Sequence, residues 1–176
     1  TRTITVSDTT PLISIKGISP LDIEVDISGA TSYNDMGADA TDHNGNNIDN
    51  NIVISGDIVD TTQKGVYILR YNVTDNNGNV ATEKTRTVNV VDTTKPVITL
   101  NGPTVMNLSV NSTFTDPGVT ISENSADNLS VITAGNLDMT TTGTYQLSYN
   151  VSDSSNNAAT EVTRTIIVSE PSSESS

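Results

Sequence analysis

From residue 143 onward apolar and polar side chains alternate: Tyr145, Leu147, Tyr149 and Val151 stand between Thr144, Gln146, Ser148 and Asn150. A period of two marks a strand with one dry face and one wet face. The same inward face occurs earlier as Tyr67, Leu69, Tyr71 and Val73. Asp75-Asn76-Asn77-Gly78-Asn79 follows it, and Asp-Asn-Gly chemistry predicts a tight hairpin into the next strand. The pattern of the first half predicts seven strands, at roughly 12–15, 21–27, 36–41, 51–55, 57–60, 66–74 and 80–90. No segment holds a helical period over ten residues.

The alternation recurs because the chain is repetitive, and self-similarity sets its organisation. Thr1-Arg2-Thr3-Ile4-Thr5-Val6, Thr85-Arg86-Thr87-Val88-Asn89-Val90 and Thr163-Arg164-Thr165-Ile166-Ile167-Val168 are versions of one strand, 84 and then 78 residues apart. Asp8-Thr9-Thr10-Pro11 answers to Asp92-Thr93-Thr94-Lys95-Pro96, and Tyr33-Asn34-Asp35-Met36-Gly37 to Phe114-Thr115-Asp116-Pro117-Gly118. The stretch from Gly65 to Asp75 answers to that from Gly143 to Asp153. Two domains are expected, 8–91 and 92–168, preceded by the last strand of an earlier repeat at 1–7 and followed by a Ser/Glu/Pro-rich flexible linker at 169–176. A chain that opens on Thr1 also reads as a piece of a longer precursor. The first copy is longer in the polar loop 42–51, where insertions are tolerated.

Composition narrows the fold class to all-β, and with the repeat and the strand pattern two tandem domains of seven strands each are expected. There are 28 Thr, 18 Val and 16 Ile, whose stiff β-branched side chains favour strands, and 20 Asn, which suit turns. With 34% hydrophobic and 3% aromatic residues, each core must be thin and aliphatic. Charge then removes partners: 21 acidic against 8 basic residues leave a net charge of -13, which repels phosphate and anionic membrane surfaces. The lack of cysteine excludes disulfides, thiolate metal sites and thiol nucleophiles. No apolar run reaches the roughly 20 residues of a spanning helix, so no membrane insertion is expected.

Four linked motifs carry a resemblance. Asp-Thr-Thr-(Lys)-Pro at 8 and 92, (Tyr/Phe)-x-Asp-(Met/Pro)-Gly at 33 and 114, Gly-x-Tyr-x-Leu-x-Tyr-x-Val-x-Asp at 65 and 143, and Thr-Arg-Thr-x-x-Val at the end of each copy resemble the immunoglobulin-like repeats of prokaryotic surface proteins, akin to hyalin repeats. The first copy departs from the family pattern at Met36, where Pro is usual. The resemblance implies seven-stranded sandwiches strung in tandem on adhesins, surface layers, secreted hydrolases or crystal toxins. Gly-x-Tyr is similar to the tyrosine corner of such sandwiches, with Leu69 and Leu147 where a disulfide-bonded domain would place Cys.

Candidate chemistry is sparse. His43 lies in the inserted loop of one copy with no nucleophile in an apolar setting, and reads as a solvent-exposed loop residue. Counting strand crossings places Asp8, Asp35 and the Asp75, Asn77, Asn79 hairpin at one end of the first sandwich, and Asp92, Asp116 and Asp153 at the matching end of the second. Hard oxygen ligands gathered there would suit Ca²⁺ and stiffen the joint at Asp92. The same Asp and Asn residues also suit turn capping through their own backbone. Five sequons occur, about the number that 20 Asn among 28 Thr and 20 Ser yield by chance; of these Asn72 and Asn150, at equivalent outward positions, are the glycosylation candidates. Arg2, Arg86 and Arg164 share parity with inward Val residues, which predicts a structural arginine paired with a carboxylate.

These observations favour a non-catalytic spacer or stalk segment of a secreted or cell-surface prokaryotic protein. Its expected partners are neighbouring repeats of the same protein, other surface subunits or glycans. The second reading is a carbohydrate- or protein-binding accessory module of a secreted enzyme or toxin. Tyr33, Tyr67, Tyr71, Tyr145 and Tyr149 all fall on inward or near-core positions, which leaves that reading without an aromatic platform.

Overall fold

The computed structural model describes residues 9–171, so Asp8 and the strand expected at 1–7 lie outside the described residues. The chain divides into two compact units, one ending at Asp92 and one starting at Thr93. Each is a β-sandwich. In the first, β1 (Leu12–Ile15) pairs with β3 (Ala38–Thr41) as one sheet, and β2 (Leu21–Glu24), β4 (Ile52–Gly56), β5 (Gly65–Val73) and β6 (Lys84–Val91) form the other in the order β2-β6-β5-β4. In the second, β7 (Val97–Leu100) pairs with β9 (Val119–Ser122), facing β8 (Val105–Ser109), β10 (Ile132–Ala134), β11 (Gly143–Asn150) and β12 (Val162–Ser169) in the order β10-β11-β12-β8.

The alternation read from sequence sets the core. Leu69, Tyr71 and Val73 of β5 and Val88 of β6 point inward onto Ile13, Ala38 and Ala40 of the opposite sheet. In the second unit Leu147, Tyr149, Val151, Ile166 and Val168 meet Ile98. Small alanines opposite tyrosines keep the layer thin, as 3% aromatic content requires. The tyrosine corner is formed in both units: the Tyr67 hydroxyl reaches the Gln63 carbonyl at 3.1 Å and the Tyr145 hydroxyl the Thr141 carbonyl at 2.9 Å, each four residues back.

Strands β1 and β2 are two halves of one traverse. The start of β1 lines a groove of about 490 Å³ with Thr82 and Lys84, before β6 is fully under way. The carbonyls just after β1 sit at the level of Arg86, and β2 then runs parallel to β6 from Leu21↔Val88 to Glu24↔Val91. The chain therefore changes sheets halfway without reversing. Between β8 and β12 the parallel register extends from Val105↔Thr165 to Ser109↔Ser169.

Among the described residues six strands form in each unit where seven are predicted. The segment 57–60 is not a strand, because Gly56, at φ 98°, turns the chain out of the sheet. Asp57 stays fastened to β5 by its backbone amide to the Ile68 carbonyl (3.0 Å) and by its carboxylate, which accepts from the Ile68 amide (2.7 Å). Gly135, at φ 133°, makes the same exit from β10. The 42–51 insertion folds by the rule of the β5–β6 hairpin: Asp42-His43-Asn44-Gly45-Asn46 and Asp75-Asn76-Asn77-Gly78-Asn79 share one pattern. In each, the aspartate amide bonds the carbonyl four residues on, and the glycine amide bonds the aspartate carbonyl. In Asp153 to Asn157, Asn156 at φ 68° takes the glycine's place.

A side chain at the exit glycines meets backbone: a Cβ on Gly56 would stand 2.2 Å from the Ile68 carbonyl oxygen, and one on Gly135 2.3 Å from that of Gln146. Gly78 also has positive φ, but nothing lies within 4 Å of its Cβ position. Gly56→Ala and Gly135→Ala are each expected to lower the stability of their own unit by about 2–3 kcal/mol or more, against about 1 kcal/mol for Gly78→Ala. Denaturant unfolding measures this; equal losses at all three positions would show that the exit geometry is not set by contact with β5 and β11.

Candidate functional site

Each sandwich encloses a buried arginine. Arg86 on β6 is 1% exposed and Arg164 on β12 is 0% exposed. A guanidinium has five N–H donors, and burial requires partners for them. Arg86 Nε donates to the Tyr71 hydroxyl (3.0 Å) and lies 2.9 Å from Asp35 Oδ1. Its terminal nitrogens donate to the carbonyls of Ile18 (3.1 Å), Lys16 and Gly37 (3.2 Å). Tyr71 in turn donates to Asp35 at 2.8 Å, as does Tyr33 at 2.9 Å. In the second unit Arg164 Nε lies 3.3 Å from both the Tyr149 hydroxyl and Asp116, and its terminal nitrogens reach the carbonyls of Pro103 (2.8 Å), Asn101 (2.9 Å) and Gly118 (3.0 Å). The structural arginine paired with a carboxylate is thus formed in both units, and its carboxylates are Asp35 and Asp116.

Those two aspartates do not join the hairpin aspartates, contrary to the strand-crossing count. The count treats β1 and β2 as opposed crossings, whereas they run one way, so the loop before β3 falls at the Arg86 level and the turn after β3 falls where β1 begins. Within the second unit Asp153 does meet another carboxylate: an oxygen of Glu123, directly after β9, lies within 4.8 Å of one of its own. Sequence reasoning missed Glu123. A signal existed: the residue after the third strand is acidic in both copies, Asp42 and Glu123.

Asp153 is 6% exposed. Asp92, at the end of the first unit, is 7% exposed and has Lys64 Nζ 3.3 Å from its Oδ2. Asp153 Oδ1 accepts from the Ser155 and Asn157 amides, both at 2.8 Å, and Oδ2 from the Asn157 side chain at 2.7 Å. Glu123 Oε1 accepts from the Asn124 amide at 2.7 Å, while its Oε2 is buried without a hydrogen-bond partner. Two adjacent carboxylates with a partnerless buried oxygen form a hard-oxygen donor pair that could hold a metal ion.

The remaining candidates have other occupations. Asp75 Oδ1 accepts from the amides of Asn77 (2.9 Å) and Asn79 (2.8 Å), and Oδ2 from the Asn79 side chain (2.9 Å), the turn-capping arrangement. Asn72 and Asn150 are half-buried; Asn72 donates to Glu83 at 2.9 Å, and Asn150 Oδ1 accepts from the Val151 amide at 2.9 Å. His43 is exposed and contacts the Thr9 hydroxyl. Tyr71 and Tyr149 are buried and the other tyrosines half-buried. Among the described residues no helix is long and apolar enough to cross a membrane.

The model of a family described as bacterial surface protein, Ig-like domain, matches residues 13–90 and again 98–168. No curated protein matches the chain. Among solved structures the chain is similar to fibronectin(III)-like modules of Clostridium thermocellum CbhA, at 16% identity over 94% of this chain and 98% of that one, with a TM-score of 0.38. It is also similar to the lipoprotein BT2262 from Bacteroides thetaiotaomicron (16% identity, 87% and 98% covered, TM-score 0.39) and to human protocadherin-24 EC1-2 (9%, 94% and 100%, 0.35).

Burial, reinforced by donation to Asp35, raises the Tyr33 and Tyr71 phenols above their ordinary 10.0. Tyr149 is raised by burial in the same way, and Phe114 stands where the first unit has Tyr33. A phenol whose folded pKa exceeds its unfolded one keeps its full contribution below the unfolded value and loses it as pH rises through the folded one. The first unit, with two such phenols against one, should therefore lose stability more steeply above about pH 10. Tyr33→Phe should bring its alkaline slope down to that of the second unit in denaturant titrations at stepped pH; parallel slopes in the unaltered protein would contradict the assignment.

Proposed function

The chain belongs to the bacterial surface protein Ig-like domain family, one match falling in each compact unit, and from that premise we propose that it is a non-catalytic spacer segment of a secreted or cell-surface protein. The observation that carries the reading is where the functional groups point. Tyrosine hydroxyls, the two buried arginines and the carboxylates of Asp35 and Asp116 are spent on holding the sandwiches together, and the lone histidine is on an exposed loop. A binding module of the glycan type needs an aromatic or polar platform facing solvent, and an enzyme needs a sheltered nucleophile or acid–base pair. Net charge of -13 serves a spacer by keeping it soluble and apart from anionic neighbours. Neighbouring repeats of the same protein are its natural partners.

Calcium belongs to this reading at Glu123 and Asp153. A bound ion would relieve repulsion between the two carboxylates, satisfy Glu123 Oε2 and tie the end of β9 to the β11–β12 turn. That would stiffen this end of the second sandwich.

Calcium titration with thermal unfolding tests the site. A ligand at about 100 times its Kd adds about 2.7 kcal/mol, so the second unit's midpoint should rise with calcium, fall back with chelator, and stop responding in Glu123→Gln, which keeps the Asn124 contact. An unchanged midpoint would remove calcium from the account. The spacer reading is tested separately: replacing one repeat in the parent protein by an unrelated sandwich of equal length should preserve function, and loss of function would favour a binding module.

A further inference from the structure

The first and last strands of each sandwich are joined in a way that matters only if the ends are pulled. The chain enters β1 beside Thr82 and Lys84 and leaves β6 at Val91, so the two ends of the repeat lie at opposite ends of the sandwich. Strand β2 runs parallel to β6 in register from Leu21↔Val88 to Glu24↔Val91, extended by the Val25 amide to the Val91 carbonyl at 2.7 Å. Tension applied at the ends would drag β2 and β6 in opposite directions along their shared axis. Their hydrogen bonds are then loaded together in shear, whereas an antiparallel hairpin pulled from its open end loses them singly.

The buried guanidinium lies in the same load path. Arg86 projects from β6 and holds the carbonyls of Lys16 and Ile18, in the segment between β1 and β2, while the Thr87 amide bonds the Ser19 hydroxyl at 3.1 Å. Arg164 holds Asn101 and Pro103 between β7 and β8 in the same way, and β8–β12 has one more register pair than β2–β6. We infer that each repeat is a tension-bearing unit whose parallel first-to-last strand ladder and arginine latch on the sheet-changing segment fail as one element. The inference rests on the spacer reading and adds to it that the spacer resists load. The repeat-replacement experiment tests the spacer reading alone; the pulling experiment below tests the latch alone.

Single-molecule stretching of the whole chain between its termini should give two unfolding events, the second unit yielding at the higher force. Arg86→Lys keeps the charge but cannot span the carbonyls; it should lower one event, shorten that unit's lifetime at constant force about tenfold or more, and leave the other event in place. Val73→Ala is the control, because Val73 is 1% exposed on β5, opposite Ile52 and outside the β2–β6 ladder. It should lower equilibrium stability while changing the unfolding force much less than Arg86→Lys. If Arg86→Lys does not fold, Ser19→Ala serves in its place and should lower the same event by a smaller step. The inference is overturned if force follows equilibrium stability alike in Val73→Ala and the latch variants, or if the folded latch variants yield at the unaltered force.

Discussion

A guanidinium with almost no access to water sits at the centre of each sandwich, and the rest of the fold is arranged to satisfy it. Removing such a charge from water costs several kcal/mol unless geometry returns it. Here it is returned by a carboxylate, a tyrosine hydroxyl and three backbone carbonyls around Arg86, and by the same set around Arg164. The carbonyls come from both edges of the two-stranded sheet, so the arginine joins the sheets where a disulfide would otherwise do so. Leu69 and Arg86 face each other in register, as do Leu147 and Arg164, and each pair combines a small apolar contact with one large polar tie. With no cysteine, no tryptophan and a single phenylalanine, the core has little else of that reach.

The placement of that tie also explains how the chain can pass from one sheet to the other in mid-traverse. Leaving β1 exposes the carbonyls of Lys16 and Ile18, which no strand pairs with, and buried carbonyls need donors. Arg86 supplies them. In each unit the sheet change brings the second strand alongside the last in parallel and fixes the turn after the third strand at the end where the chain arrives, which in the second unit delivers Glu123 to Asp153. One interaction thus connects core packing, load path and the carboxylate pair.

What could be read from the sequence follows from what is local. The period of two in Tyr67 to Val73, the Asp-x-Asn-Gly-Asn turns and the recurring Thr-Arg-Thr motif depend on residues a few positions apart, and they gave the class, the repeats and the inward Arg86 and Arg164. The family resemblance drawn from four motifs is matched by the family found over both units. The sheet change is set by pairing between residues almost 70 positions apart, such as Leu21 and Val88, and leaves no periodic trace. Misjudging it put Asp35 and Asp116 among the cation candidates and left Glu123 out. The extra strand at 57–60 failed for a nearby reason: Ile58 and Val59 look like strand residues, but Gly56 has already turned the chain away.

The buried guanidinium can be tested by removing its charge while keeping its bulk. In equilibrium denaturant unfolding of Arg86→Met, Asp35 and the three carbonyls lose their donor, and the first unit should lose about 3–5 kcal/mol while the second unit's transition stays where it was. A first unit as stable as before, or more stable, would contradict the account, because methionine would then do by packing alone what is ascribed to the arginine.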